Sequence, residues 1–198
     1  MGAITQFTWD SRDLAMWRNN ATEKALARAF SSCGGKALKV MQDASIKHVV
    51  SRKNLKEADV RDGLPLIKPS RKEVLREMQW AEDVSGEPMP LSRFPFFQSA
   101  HGITVAVNRG STTAIKSAFA AKMSSGHLGI FKRSGKFGRN ENPKLEKIQE
   151  LWTSRISDVM QDAGAIPEVQ TAAHSAFAKA FEKAIVREMK KMRKSGDL

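Results

Sequence analysis

The chain has no tyrosine and a single cysteine, Cys33, which excludes an internal disulfide. Long β-branched runs are also scarce. The hydrophobic fraction of 41% leans on Ala, Met and Phe, a balance that favours helices with a modest sheet. The four histidines, His48, His101, His127 and His174, lie far apart without metal-ligand spacing, so no structural zinc is expected. HExxH, GxSxG and a recognisable carboxylate pair are all missing. Each histidine is therefore read as a surface or structural residue. The expectation is a protein without catalysis, cofactor or metal.

No apolar run approaches the roughly 20 residues that a bilayer span requires. The opening MGAITQFTWD has neither a basic n-region nor an apolar core, and Gln6 stands where a myristoylation signal wants Ser or Thr. These features predict a soluble protein made in the cytoplasm. Gly34-Gly35-Lys36-Ala37 lacks the preceding strand and the full spacing of a phosphate loop. No internal repeat or low-complexity tract is present.

Acidic residues are missing from one long stretch. Between His101 and Asn140 stand Arg109, Lys116, Lys122, Lys132, Arg133, Lys136 and Arg139, with no Asp or Glu. Residues 1–100 hold 16 basic and 12 acidic side chains and residues 141–198 hold 10 and 9, so over half of the net charge of +12 comes from these forty residues. A merely solvated face mixes its signs. The concentration predicts contact with a polyanion, either phosphates or an acidic protein surface. Helix-turn-helix, zinc-finger and basic-zipper patterns are absent, and GKFGRN, residues 135–140, lacks the aromatic partners of an RNA-recognition strand.

Asp10 or Ser11 can cap a long amphipathic helix, with apolar positions Leu14, Trp17, Ala21, Ala25, Leu26, Phe30, Cys33, Ala37, Met41 and Ala44. The stripe keeps phase across Gly34 and Gly35. This predicts one continuous helix, with the glycines packed close to a neighbouring backbone and Cys33 a buried, inert thiol. Ser51 opens a short second helical turn, SRKNLKEADV. Gly63, Pro65 and Pro69 mark a linker or arm over residues 61–70. Residues 71–80 lean to a strand. Residues 101–109 alternate Ile103, Val105 and Val107 with small or polar residues, the best strand signal, and residues 127–133 are a second. Residues 114–123 fit helix or strand, and 147–152 form a weaker strand. Pro167 suits the first position of a helix with the stripe Val169, Ala173, Ala176, Phe177, Ala180, Phe181, Ala184, Ile185, Met189 and Met192.

The predicted class is therefore α+β: a long N-terminal helix and a C-terminal helix packed on a small antiparallel sheet. A single domain is expected, helical over 10–60, β-rich over 71–160, with the last helix over 165–194.

The order of MPLSRF (Met89 to Phe94), GITVAVNRG and AIKSAFAAKMSSGHLGIFKRSGK (Ala114 to Lys136) resembles the minor tail protein Z family of tailed bacteriophages. A Pro-Leu segment, a strand, an Ala-Phe segment and a glycine-containing strand ending in Gly-Lys follow an Ala- and Arg-rich helix. The turn SRKNLKEADV is similar to the family's short helix after the long one. The resemblance spans roughly residues 12 to 160. It implies a virion protein of the tail or neck, made in the host cytoplasm. Such a tail-completion subunit forms a hexameric ring at the head-proximal end of the tail and enables head-tail joining. Its partners would be copies of itself, tail terminator or tube proteins, head-tail connector proteins and the DNA end in the lumen, with no membrane. The seven cations would then meet DNA or an acidic neighbour, and Phe94, Phe96, Phe97, Phe177 and Phe181 would supply subunit contacts. The alternative reading is a non-specific nucleic-acid-binding protein.

Overall fold

A computed structural model describes residues 3–8, 23–67, 79–135, 147–162 and 164–195. The elements are β1 (Ala3–Thr8), α1 (Glu23–Arg52), α2 (Glu57–Asp62), β2 (Leu66–Ile67), β3 (Gln79–Val84), β4 (Pro88–Pro90), β5 (Phe96–Ser99), β6 (Gly102–Val105), β7 (Thr113–Lys116), β8 (Ala118–Lys122), β9 (Leu128–Arg133), β10 (Ile148–Glu150), β11 (Trp152–Arg155), α3 (Ile156–Gln161) and α4 (Ala165–Ser195). The architecture is α+β, with the two long helices packed against small antiparallel sheets.

The helix pair holds the largest part of the core. On α1 the buried positions Ala25, Leu26, Ala29, Phe30, Cys33, Ala37, Leu38, Met41, Ile46 and Val49 recur at three- and four-residue steps and form one face. On α4 the matching set is Val169, Ala173, Phe177, Phe181, Ala184 and Ile185. Phe30 stacks on Phe181 at 4.8 Å and on Phe177 at 5.8 Å between ring centroids. The ion pair Arg28–Glu188 lies near one end of the pair and Arg52–Asp162 near the other, so α1 and α4 run antiparallel. Phe177 is fully buried and Phe181 is nearly so. Both therefore belong to the chain's own core rather than to a contact between subunits.

α1 passes through Gly34 and Gly35 without a break, as the phase of its stripe predicts. The expected close packing does not hold for Gly35, where a Cβ would meet no atom within 4 Å. Leu14, Trp17 and Ala21 lie outside the described residues. The second helix begins at Glu57 rather than Ser51, because α1 continues to Arg52. Residues 61–67 are not a free linker. Leu64 is fully buried, its carbonyl accepts a 2.7 Å hydrogen bond from Gln42 Nε2, and Leu66–Ile67 pairs with β3. Apolar Leu64 and Leu66 find cover there despite the flanking Gly63 and Pro65.

β1, β3 and β2 form one antiparallel sheet in that order, with Glu82 opposite Thr5 and Leu66. The strand β1 had no counterpart in the sequence pattern. A second sheet orders β5-β6-β7, and a third β10-β9-β8. The undecided segment 114–123 is thus two strands. They are broken at Ser117, whose φ of 60° turns the chain while its N–H donates to the His101 carbonyl at 3.1 Å. Gly102 faces this corner at φ 143°, where a Cβ would run into the Ile115 carbonyl. β11 pairs with β4, joining Trp152 to Pro90. α4 starts two residues before Pro167, which therefore sits at its third position. Proline is tolerated there because first-turn N–H groups have no intrahelical partner in any case.

Candidate functional site

The predicted strand 101–109 leaves its ladder after Val105, and its remainder closes the C-terminus of α1. The last four carbonyls of a helix lack intrahelical partners. Arg109 Nε donates to the Val50 carbonyl at 2.6 Å, and the Arg109 N–H donates to that of Arg52 at 2.9 Å. Asn54 Nδ2 reaches back to the carbonyls of Ala106 and Asn108, and Lys53 Nζ donates to Asn108 Oδ1 at 2.7 Å. Arg109, proposed from sequence as a partner contact, thus caps the helix on a different part of the surface from the other cations.

Those others are divided by the β8–β9–β10 sheet. Ala118 lies opposite Lys132 and Ile148 opposite Arg133, while Lys122 lies opposite Leu128. One end of the sheet therefore carries Lys132 and Arg133, with Lys116 two residues before Ala118 and Lys147 just before Ile148. Lys122 stands at the other end, about 17 Å away at the usual rise per strand residue. Lys116, Lys132, Arg133 and Lys147 are exposed. Arg133 lies over the Phe119 ring at 5.6 Å from its centroid, a cation–π contact that fixes the guanidinium relative to the sheet. Lys136 and Arg139 lie outside the described residues.

The opposite end of the same sheet borders an acidic groove. His127, next to the first residue of β9, and Trp152, first of β11, line it with Asp59, Asp62, Glu87, Pro88 and Pro90. Its volume is about 350 Å³. Asp62 and Glu87 are exposed, and Trp152 keeps 52% of its surface open. Two groups are already engaged: Arg93 lies 3.8 Å from Asp59, and His127 Nε2 lies 2.8 Å from Glu150 Oε1. This groove was not anticipated from sequence, because α2, β4, β11 and the β8–β9 turn each contribute only one to three of its residues. The local sign in the sequence was the pairing of Glu87 with Pro88 and Pro90.

Of the five phenylalanines proposed for subunit contacts, Phe94 joins Phe177 and Phe181 in the core, where it keeps 3% of its surface. Met89 and Leu91 are buried along the same segment. Phe96 is half-buried against the core, and only Phe97, at 72% exposure, stands in solvent. The strand period explains the split, since Phe96 pairs with buried Val105 while Phe97 pairs with Thr104 on the outer face of β5.

Two carboxylates in the interior were also missed, and the half-buried His48 is a third polar group there. Glu82 is fully buried on β3, with Oε2 accepting from Ser45 Oγ at 2.7 Å and Oε1 without a hydrogen-bond partner among the described residues. Burial pushes its pKa up to about 7, against a smaller opposing effect of the Ser45 hydrogen bond. Glu188 is buried too, but Lys191 donates to it at 2.8 Å and Arg187 and Arg28 stand close by. The Lys191 hydrogen bond is the main cause that holds its carboxyl below the usual range. His48 Nε2 is buried and has no hydrogen-bond partner among the described residues, and burial and then Arg52 lower its pKa. Burial likewise pushes the Cys33 thiol up, in keeping with an inert side chain.

Among the described residues, no three His, Cys, Asp or Glu side chains are grouped so as to hold a metal ion, and no helix is long and apolar enough to cross a membrane. What the surface presents is a sheet with Lys132 and Arg133 at one end and, at the other, Lys122 and a groove lined by Asp59, Asp62, Glu87, Arg93 and Trp152. No family model, curated protein or solved structure matches the chain.

Proposed function

We propose that this protein is a structural subunit of a tailed-phage virion, a tail-completion ring component at the head-proximal end of the tail that enables head-tail joining. The observation that carries the reading is the pair Lys132 and Arg133 at one end of the β8–β9–β10 sheet, with Lys147 just before β10 and Lys116 at the end of the preceding strand β7. Buried Ile130 and Ala118 anchor that sheet in the body of the protein. Held on strands rather than on a free tail, these charges have the fixed spacing needed to dock on a defined surface. The order of Pro-Leu, strand, Ala-Phe and basic strand segments supplies the family resemblance. The long helix packed on antiparallel sheets suits the fold that the resemblance implies.

Native mass spectrometry of the purified protein, alone and mixed with tail tubes, tests this reading. Rings alone or rings capping tubes are expected. A protein that stays monomeric and never associates with tails would sink it.

One observation favours a second reading, non-specific binding of single-stranded nucleic acid. Exposed Phe97 and Lys116 share the outer face of the β5–β6–β7 sheet, and an aromatic ring beside cations is how bases and phosphates are held together. Stoichiometric coating of an oligonucleotide, weakened by Phe97→Ala and by added salt, would favour it over the ring.

A further inference from the structure

The end of the β8–β9–β10 sheet that bears Lys132 and the groove that borders its other end, beside Lys122, cannot meet within one chain. The cationic end holds Lys116, Lys132 and Lys147 in a region whose strands β7 to β9 contain no acid. Leu128, about 17 Å from Arg133 at the usual strand rise, adjoins His127, which lines the groove together with Asp62, Glu87, Arg93 and exposed Trp152. An indole face flanked by carboxylates suits a Lys or Arg head: the ring quadrupole attracts the cation, the carboxylates neutralise it, and the apolar floor covers its methylenes. The proline residues Pro88 and Pro90 strip that wall of backbone N–H donors that would otherwise oppose a cation.

We propose that the groove is the socket for the cationic sheet end of a second copy of this chain, so that copies join head to tail. Charge complementarity selects this occupant. The net charge is +12, yet this groove is acidic, and the chain itself supplies a cationic end on a rigid strand. The contact is heterologous, with different patches on the two copies, and such contacts close into rings or extend as filaments. The inference rests on the ring reading in one respect, that the chain associates with itself. It adds which surfaces do so and in what polarity.

The test is a charge exchange at residues outside the core. One variant carries Asp62→Lys and Glu87→Lys, another Lys116→Glu and Lys132→Glu, and a third carries all four changes. Sedimentation velocity over a range of concentrations measures association, and circular dichroism melting checks that each variant folds. Each two-residue variant is expected to associate at least about tenfold more weakly than wild type. The mixture of the two, and the four-residue variant alone, should recover assembly, because each restores opposite charges across the contact. If wild type assembles and the Asp62/Glu87 variant assembles equally well, the socket is overturned while the ring reading stands. If the Lys116/Lys132 variant assembles normally and instead loses retention on DNA, the cationic end serves a polyanion and the proposal likewise fails. A wild type that remains monomeric at every concentration overturns both.

Discussion

Glu82 shows what one buried side chain can do to the whole protein's response to pH. Its carboxyl is fully buried, accepts a hydrogen bond from Ser45 Oγ, and has its pKa pushed up from 4.5 to about 7. In the unfolded chain the group loses its proton near 4.5, but in the folded chain it holds on until about 7. The folded state therefore binds more protons between these values, and stability falls as pH rises through them. The contribution is fully present below pH 4.5 and is lost above about 7, a difference of about 3 kcal/mol at 1.36 kcal/mol per pKa unit. Glu82→Gln keeps the shape and removes the titration. Urea unfolding at pH 5 and pH 8 should show the variant gaining on wild type at the higher pH by about that amount. A difference between the two proteins that does not change with pH would show that Glu82 ionises freely. The strand expected over residues 71–80 stopped short of position 82, so neither its place in β3 nor its inward direction was legible. Only the pairing of β3 with β1 and β2 and the approach of Ser45 from α1 determine which face is covered.

At the scale of elements, α1 carries a glycine that its packing does not use. Gly35 lies in the interior of a 30-residue helix, and a Cβ added there meets nothing within 4 Å. Glycine loses more backbone freedom on folding than alanine, so Gly35→Ala should stabilise the protein by about 0.5–1 kcal/mol. For a chain of this size that raises Tm by about 1–4 °C, readable by calorimetry. A lowered Tm would mean that the position is needed for a close contact after all. The same helix shows what was legible in the sequence. Its apolar period from Ala25 to Met41, and that of α4 from Val169 to Ile185, placed both helices and their buried faces, because a stripe at 3.6-residue spacing has one way to be covered. The strand 102–105 was clear from alternation, and 128–133 was the second strand read from the sequence. Short elements were less so. Leu66–Ile67 is two residues long and β1 reads AITQFT, and each becomes a strand only through its partner β3. Phe94, Phe177 and Phe181 were apolar enough for either a core or an interface. Their partners, Phe30 among them, lie far away in sequence, so the choice rested on tertiary packing. The cationic half of the site could be read from the absence of acids between residues 101 and 140, whereas the acidic half is assembled from four separated segments.

For the molecule as a whole, the net charge of +12 acts in two opposed ways, and salt separates them. Within one chain, excess positive charge repels itself and destabilises the compact state. Between chains, the head-to-tail contact draws a cationic sheet end to an acidic groove. The Debye length shrinks from about 30 Å at 0.01 M salt to about 10 Å at 0.1 M and about 3 Å at 1 M, so both effects fade together. Their consequences have opposite signs. Added sodium chloride should raise the Tm of the dilute, monomeric protein by relieving self-repulsion. Over the same range it should shift sedimentation profiles at higher concentration from assemblies toward monomer. The apolar part of the groove, Trp152 with Pro88 and Pro90, is not screened, so association should weaken without vanishing at 1 M. Assembly that strengthens with salt would point instead to an apolar contact, with exposed Phe97 the first residue to substitute. A Tm that falls with salt would mean that native ion pairs such as Arg61–Asp43 and Arg52–Asp162 outweigh the net repulsion. Exposed pairs of this kind are worth only about 0–1 kcal/mol each, so a rise is the expected outcome.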